Sequence, residues 1–142
     1  LDLADIGVKG VLCGGTSMTR QAVRFWVEGV LDRRVEFVPV YGNTLMGLAA
    51  SRPVIDNDYA VIYHPPLPRA VIRVVDDDND LVAYGERGRV ELTTLTEELF
   101  LPRLLERDEA IRRPPTARFA ADGVEDVRPL GGSTSKTIEG VY

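Results

Sequence analysis

The chain has 142 residues and a formal net charge of −5, with 44% hydrophobic and 27% charged residues. These are the proportions of a soluble globular domain, or of a piece of a larger one. The acidic balance argues against a nucleic-acid backbone as partner. No apolar run approaches the ~20 residues of a membrane helix. Leu1 opens without a methionine or a signal-like apolar core, so the expectation is a piece of a longer cytoplasmic protein.

Residues 8–13 (VKGVLC) are mostly apolar and run into Gly14-Gly15-Thr16-Ser17. This predicts a buried strand ending in a glycine turn, with the single cysteine, Cys13, buried. With no second cysteine, neither an internal disulfide nor a cysteine-rich zinc site is possible. A helix follows. Thr19 is its predicted cap, and Met18 and Val23 have the spacing of a hydrophobic staple. Val23, Trp26, Val27, Val30 and Leu31 recur as one apolar face, with Arg20, Arg24 and Glu28 opposite. Asp32-Arg33-Arg34 ends the helix, and residues 35–40 (VEFVPV) return as a strand.

Strand, helix, strand with short connections predicts a βαβ unit with parallel strands and a right-handed crossover. The loop at 14–17 and the loop at 41–44 (YGNT) are then expected at the same carboxyl edge, where open α/β sheets bind ligands.

From Ser51 the pattern changes to short β-rich segments at 59–64, 70–75, 81–84 and 89–95, separated by Pro or Gly/Asp turns. Residues 85–88 (GERG) are expected as a tight turn, and the acidic run 76–80 (DDDND) as a solvated one. The only histidine, His64, precedes two prolines in an expected loop, with no second histidine or cysteine nucleophile nearby to make a catalytic site. Residues 96–113 are ambiguous: Thr96 has cap chemistry, but Pro102 interrupts and Leu104, Leu105 and Ile111 make no clean stripe. Pattern alone leans to helix there. The expected fold class is α/β: the βαβ end of a parallel-sheet subdomain at 1–50, then a small antiparallel sheet or distorted β-barrel at 51–130.

Four blocks then resemble, in order and spacing, the adenylate-forming superfamily of acyl-CoA synthetases and peptide-synthetase adenylation domains. They are residues 6–19 (IGVKGVLCGGTSMT), 40–49 (VYGNTLMGLA), 84–110 (YGERGRVELTTLTEELFLPRLLERDEA) and 131–142 (GGSTSKTIEGVY). The phenylacetate–CoA ligase branch, with its phenazine-biosynthesis relatives, looks nearest, which implies a role of the antibiotic-biosynthesis kind. The resemblance implies that 96–113 is extended and that 131–142 is a hinge to a missing smaller C-terminal domain. It places Gly14, Gly15 and Thr16 along adenine and Tyr41 against the base, with Gly42 and Asn43 in the same motif. Thr44 would contact the α-phosphate as the catalytic group, and Asp108 would accept both ribose hydroxyls. Arg103 matches the first arginine of its block. Leu45, Met46, Gly47 and Leu48 would border the acyl substrate.

The resemblance also implies ATP or AMP, Mg²⁺ and coenzyme A as cofactors, and a small carboxylic acid, aromatic by branch, as substrate. The pattern departs at four places. Leu45 stands for a Glu that helps hold Mg²⁺, and an aliphatic side chain cannot bind a hard cation, so no protein metal ligand is expected. Leu105 replaces an arginine, Glu106-Arg107 replaces Thr-Gly, and Gly132, Thr134 and Ser135 replace the hinge Arg-x-Asp-Asp. The family's catalytic lysine falls beyond Tyr142, so this chain alone is expected not to turn over. A non-catalytic nucleotide or acyl-ligand binder of the same fold is the rival expectation.

Overall fold

The structure, a computed structural model, describes residues 2–15 and 17–131. Thr16 and all of the expected hinge except Gly131 lie outside the described residues.

Strand β1 (Gly10–Cys13) pairs in parallel with β2 (Glu36–Asn43), in register from Gly10↔Glu36 to Cys13↔Pro39. Between them lies helix α1 (Arg20–Arg24), and the Thr19 hydroxyl accepts from the Ala22 amide at 3.2 Å as its cap. The helix then changes winding. Phe25–Val30 form a π-helical segment, closed by a bond from the Leu31 amide to the Trp26 carbonyl, five residues back. The wider turn aligns positions four apart. Val23, Val27 and Leu31 are therefore buried, each contributing about 1.5–3 kcal/mol over exposure, while Trp26 and Val30 of the expected apolar face are exposed. Trp26 still covers Phe37, ring on ring at 6.4 Å. Cys13 is half-buried rather than buried, because β1 lies at the edge of its sheet.

Residues 41–43, expected as a loop, continue β2. They form a hairpin with β3 (Gly47–Ala50), paired Tyr41↔Ala49 and Asn43↔Gly47. Two local features force this. The strands approach so closely that a Cβ at Gly42 would stand 1.9 Å from the Gly47 carbonyl oxygen, so position 42 excludes any side chain. The Asn43 side chain closes the turn, its Oδ1 accepting from the amides of Leu45 (3.0 Å) and Met46 (2.9 Å).

The second sheet is antiparallel. It contains β4 (Ile62–Tyr63), β5 (Ala70–Val75), β6 (Arg87–Leu95), β7 (Phe100–Arg113) and β8 (Gly123–Pro129), in the order β4-β8-β7-β6-β5. The strand expected at 59–64 shrinks to two residues because a 3-10 turn (Val54–Asn57) precedes it and Asp58 and Tyr59 take positive φ. The strand expected at 81–84 reduces to one bridge, Leu81 to Val75. Arg87 and Gly88 belong to β6, so the expected 85–88 turn sits earlier in the chain. The 76–80 run is a turn closed by the Asp76 carboxylate, which accepts from the amides of Asp78 and Asp80. Residues 100–113 are extended, as the resemblance implied and against the lean of their pattern toward helix.

The halves meet through a backbone bridge between Ala50 and His64, and Ser51 adds a second tie: its amide donates to the Pro39 carbonyl and its hydroxyl accepts from the Ile62 amide. Buried residues of both halves form one cluster, from Val23, Phe37 and Met46 to Ile72, Val90, Leu92 and Val124. Among the described residues no helix is long and apolar enough to cross a membrane.

Candidate nucleotide-binding site

The site rests on a bulge in β7. Arg89 of β6 pairs with Glu109 and Glu91 with Leu105, so three residues of β7, Glu106–Asp108, stand opposite Val90 alone. Such a bulge bends its strand and re-aims its side chains. Its carbonyls are satisfied from both neighbours: Arg89 Nε donates to that of Glu106 at 2.7 Å, and the Leu130 amide to that of Arg107 at 2.8 Å.

Opposite the bulge, Tyr41 and Asn43 are two apart on β2 and share a face. The Tyr41 hydroxyl donates to Asp108 Oδ2 at 2.9 Å, and Asn43 Nδ2 donates to Glu106 Oε1 at 2.6 Å. These two rungs join the parallel half of the molecule to the antiparallel half. Burial pushes the Tyr41 hydroxyl well above its ordinary pKa, and the Asp108 carboxylate pushes it further, so it remains a donor at any working pH. Among the described residues this is the only side-chain hydrogen bond to Asp108, so the carboxylate keeps acceptor capacity.

The glycine loop is next to this contact. A Cβ at Gly14 would lie 2.9 Å from Val40 Cγ2, one residue before Tyr41. The Tyr41 ring lies 5.7 Å from that of Tyr63, beside which a cleft of about 310 Å³ opens between residues 17–20 and β8.

The other expected site residues divide. Thr44 is exposed at the hairpin turn, and Leu45 and Leu48 flank it, also exposed. Met46 is fully buried, so its side chain belongs to the core. Arg103 is engaged elsewhere, donating to Glu91 at 3.0 Å and to the Asn79 carbonyl at 3.2 Å. Glu106, noted in the sequence only as a departure, lies at the site. Its signal was its spacing, two residues before Asp108. Among the described residues no three His, Cys, Asp or Glu side chains gather as a metal site.

No family model and no curated protein matches the sequence. Solved structures do match the fold. McyG A-PCP complexed with phenylalanyl-adenylate superposes with a TM-score of 0.62 at 19% identity, covering 84% of this chain and 25% of that one. A benzoate CoA ligase from Burkholderia xenovorans gives 0.62 at 16%, covering 88% and 27%. The amide bond synthetase McbA from Marinactinospora thermotolerans gives 0.56 at 18%, covering 83% and 26%. The chain shares its fold with a part of each of these structures. The chain spans about a quarter of the length of these structures. At these identities the likeness concerns architecture alone: a mixed sheet joined to an antiparallel one.

Proposed function

We propose that this chain is the nucleotide-contacting part of an ATP-dependent carboxylate ligase, which forms an acyl-adenylate and passes the acyl group to coenzyme A. The observation that carries the reading is the Tyr41–Asp108 hydrogen bond, set on a bulge beside the glycine loop in an adenylate-forming fold. Adenine lies along Gly14 and Gly15 and against the Tyr41 ring, whose flat face offers both area and a π surface. Asp108, held by the Tyr41 hydroxyl through one oxygen, accepts from the ribose hydroxyls through its remaining lone pairs, a charge-assisted pairing. Thr44, exposed at the hairpin turn, offers its hydroxyl to the α-phosphate, where charge develops as the acyl carboxylate attacks. Leu45 and Leu48 present apolar surface to the acyl group. An aromatic acid is the substrate of choice, supported by the branch resemblance and by two similar structures, one named a benzoate CoA ligase and one complexed with phenylalanyl-adenylate.

Leu45 offers no oxygen to a hard cation, so the residues at the turn do not fit a protein-held Mg²⁺ and no step is routed through one. That same residue favours a second reading, a non-catalytic binder of nucleotide or acyl ligand. Calorimetry and turnover together test both. AMP should bind wild type and bind Asp108→Ala more weakly. The natural full-length protein should release pyrophosphate with benzoate or phenylacetate in preference to aliphatic acids. Binding without pyrophosphate release selects the second reading, and absence of AMP binding overturns the first and the nucleotide form of the second.

A further inference from the structure

Most arginines of this chain are engaged by a carboxylate, a backbone carbonyl or an aromatic ring. Among the described residues two guanidiniums have no such partner, those of Arg69 and Arg107, and both flank the candidate site. Arg107 lies within the β7 bulge. It alternates with Glu106 and Asp108, which point at β2, and so lies in the opposite phase. Arg69 has a different setting. Its carbonyl accepts from the Leu95 amide at 2.9 Å, which fixes its backbone at the start of β5. Its side chain lies over Gly47, with Nε 3.5 Å and Cζ 3.7 Å from where a Cβ on that glycine would stand. Gly47 pairs with Asn43 across the root of the hairpin turn whose tip carries Thr44.

The electrostatics of the turn call for such a cation. Glu106 and Asp108 place two carboxylates against β2, and a phosphate brought beside them is repelled. The amides of Leu45 and Met46, which would otherwise greet an anion, are occupied by the Asn43 side chain. Leu45 holds no metal ion that could neutralise the charge. We infer that Arg69 is the anion contact of this site, its guanidinium meeting the phosphate of a bound nucleotide at the Asn43–Gly47 turn. The inference rests on the nucleotide reading above and adds to it a residue outside the four resembling blocks. A guanidinium suits the task because its planar fork pairs with phosphate oxygens two at a time.

The experiment compares adenosine, AMP and pyrophosphate on wild type, Arg69→Ala, Arg69→Lys and Arg107→Ala by calorimetry, with the Gly47 amide followed by NMR. Arg69→Ala should weaken AMP roughly 10- to 150-fold, the range for losing a charged hydrogen bond, and leave adenosine unchanged. Arg69→Lys should recover part of the loss, Arg107→Ala should change neither, and the AMP difference should shrink in high salt. Arg69 is exposed, so the variants should unfold at the wild-type temperature. If adenosine and AMP bind but Arg69→Ala leaves their ratio unchanged, the inference is overturned and the Asp108 reading stands. If wild type binds neither, the nucleotide reading falls. A pyrophosphate-induced shift of the Gly47 amide that Arg69→Ala abolishes then upholds the anion contact, and its absence overturns that as well.

Discussion

Two carboxylates beside β7 stand in opposite circumstances. Glu91 on β6 is buried, and two guanidiniums answer it, Arg73 at 2.7 Å and Arg103 at 3.0 Å. Asp108 on β7 is half-buried, and its side-chain partner among the described residues is a neutral hydroxyl. A buried charge with full compensation is fixed in place and has nothing left to offer. A charge held by one neutral donor is oriented without being neutralised, and that is the state a ligand can use. The difference separates a carboxylate committed to the sheet from one with acceptor capacity left for a ligand.

The comparison is most exposed to failure at Glu91. Glu91→Ala should leave Arg73 and Arg103 facing each other without a counter-charge and cost on the order of 2–4 kcal/mol, discounted for the partial exposure of both arginines. Urea unfolding measures this, and a midpoint equal to wild type would erase the distinction. Asp108→Ala should do the reverse. It should weaken AMP by about 1–3 kcal/mol in calorimetry and leave the unfolding free energy within about 1 kcal/mol of wild type. A large loss of stability with unaltered AMP affinity would make Asp108 structural.

A smaller effect is expected from Asn43→Ala, which removes the Glu106 rung and the cap of the hairpin turn. About 1–2 kcal/mol should be lost, with faster hydrogen exchange at Leu45 and Met46; unchanged exchange there would show that the turn holds without Asn43.

Titration sharpens the comparison further. Glu28 is held down to about 2, chiefly by its hydrogen bond from Arg24 and then by the Tyr59 hydroxyl and Arg33. Its stabilisation is therefore complete above the unfolded value near 4.5 and is lost as pH falls toward 2. His64, stacked on Phe119 at 4.1 Å, has no carboxylate partner among the described residues, and burial lowers its pKa below 6.5. The unfolded chain takes up that proton first, so stability should already decline as pH falls through 6.5. Denaturant midpoints from pH 7.5 to 5.5 should show this decline in wild type, and His64→Phe, which keeps the ring stack, should flatten it. A slope that survives the substitution would assign the decline to other groups. This is the smallest effect of the four.

The parallel pairing of β1 and β2 and the Thr19 cap were legible because each depends on residues close in sequence. The exposure of Trp26 and Val30 was not, because a period of 3.6 does not describe a π-wound segment. Residues 100–113 hid their strand for a different reason. Their inward phase reads Leu104, Glu106, Asp108, Ala110, so half of the positions expected to be apolar are acids drawn toward Tyr41 and Asn43. Arg103 further breaks the alternation with a positive φ at a second irregularity in the β6–β7 register. The pairing of Glu91 with arginines 12 and 18 residues away leaves no local signature at all. Within the candidate site, the resemblance named Tyr41 and Asp108 and implied that they face one cleft. Their contact belongs to the fold, as does the role of Glu106 in holding Asn43.

The bulge in β7 contributes two extra residues, an even number. Side chains in a strand alternate with period two, so the inside and outside faces resume beyond the bulge in the phase they had before it. Leu104 and Ala110 therefore point the same way across it. What evolution must preserve in this stretch is parity. Loss or gain of a single residue between 105 and 109 would turn every later side chain of β7 inside out, sending Ala110 to solvent and Ile111 to the core. Loss of two would straighten the strand and keep its faces, removing the presented acids while sparing the sheet.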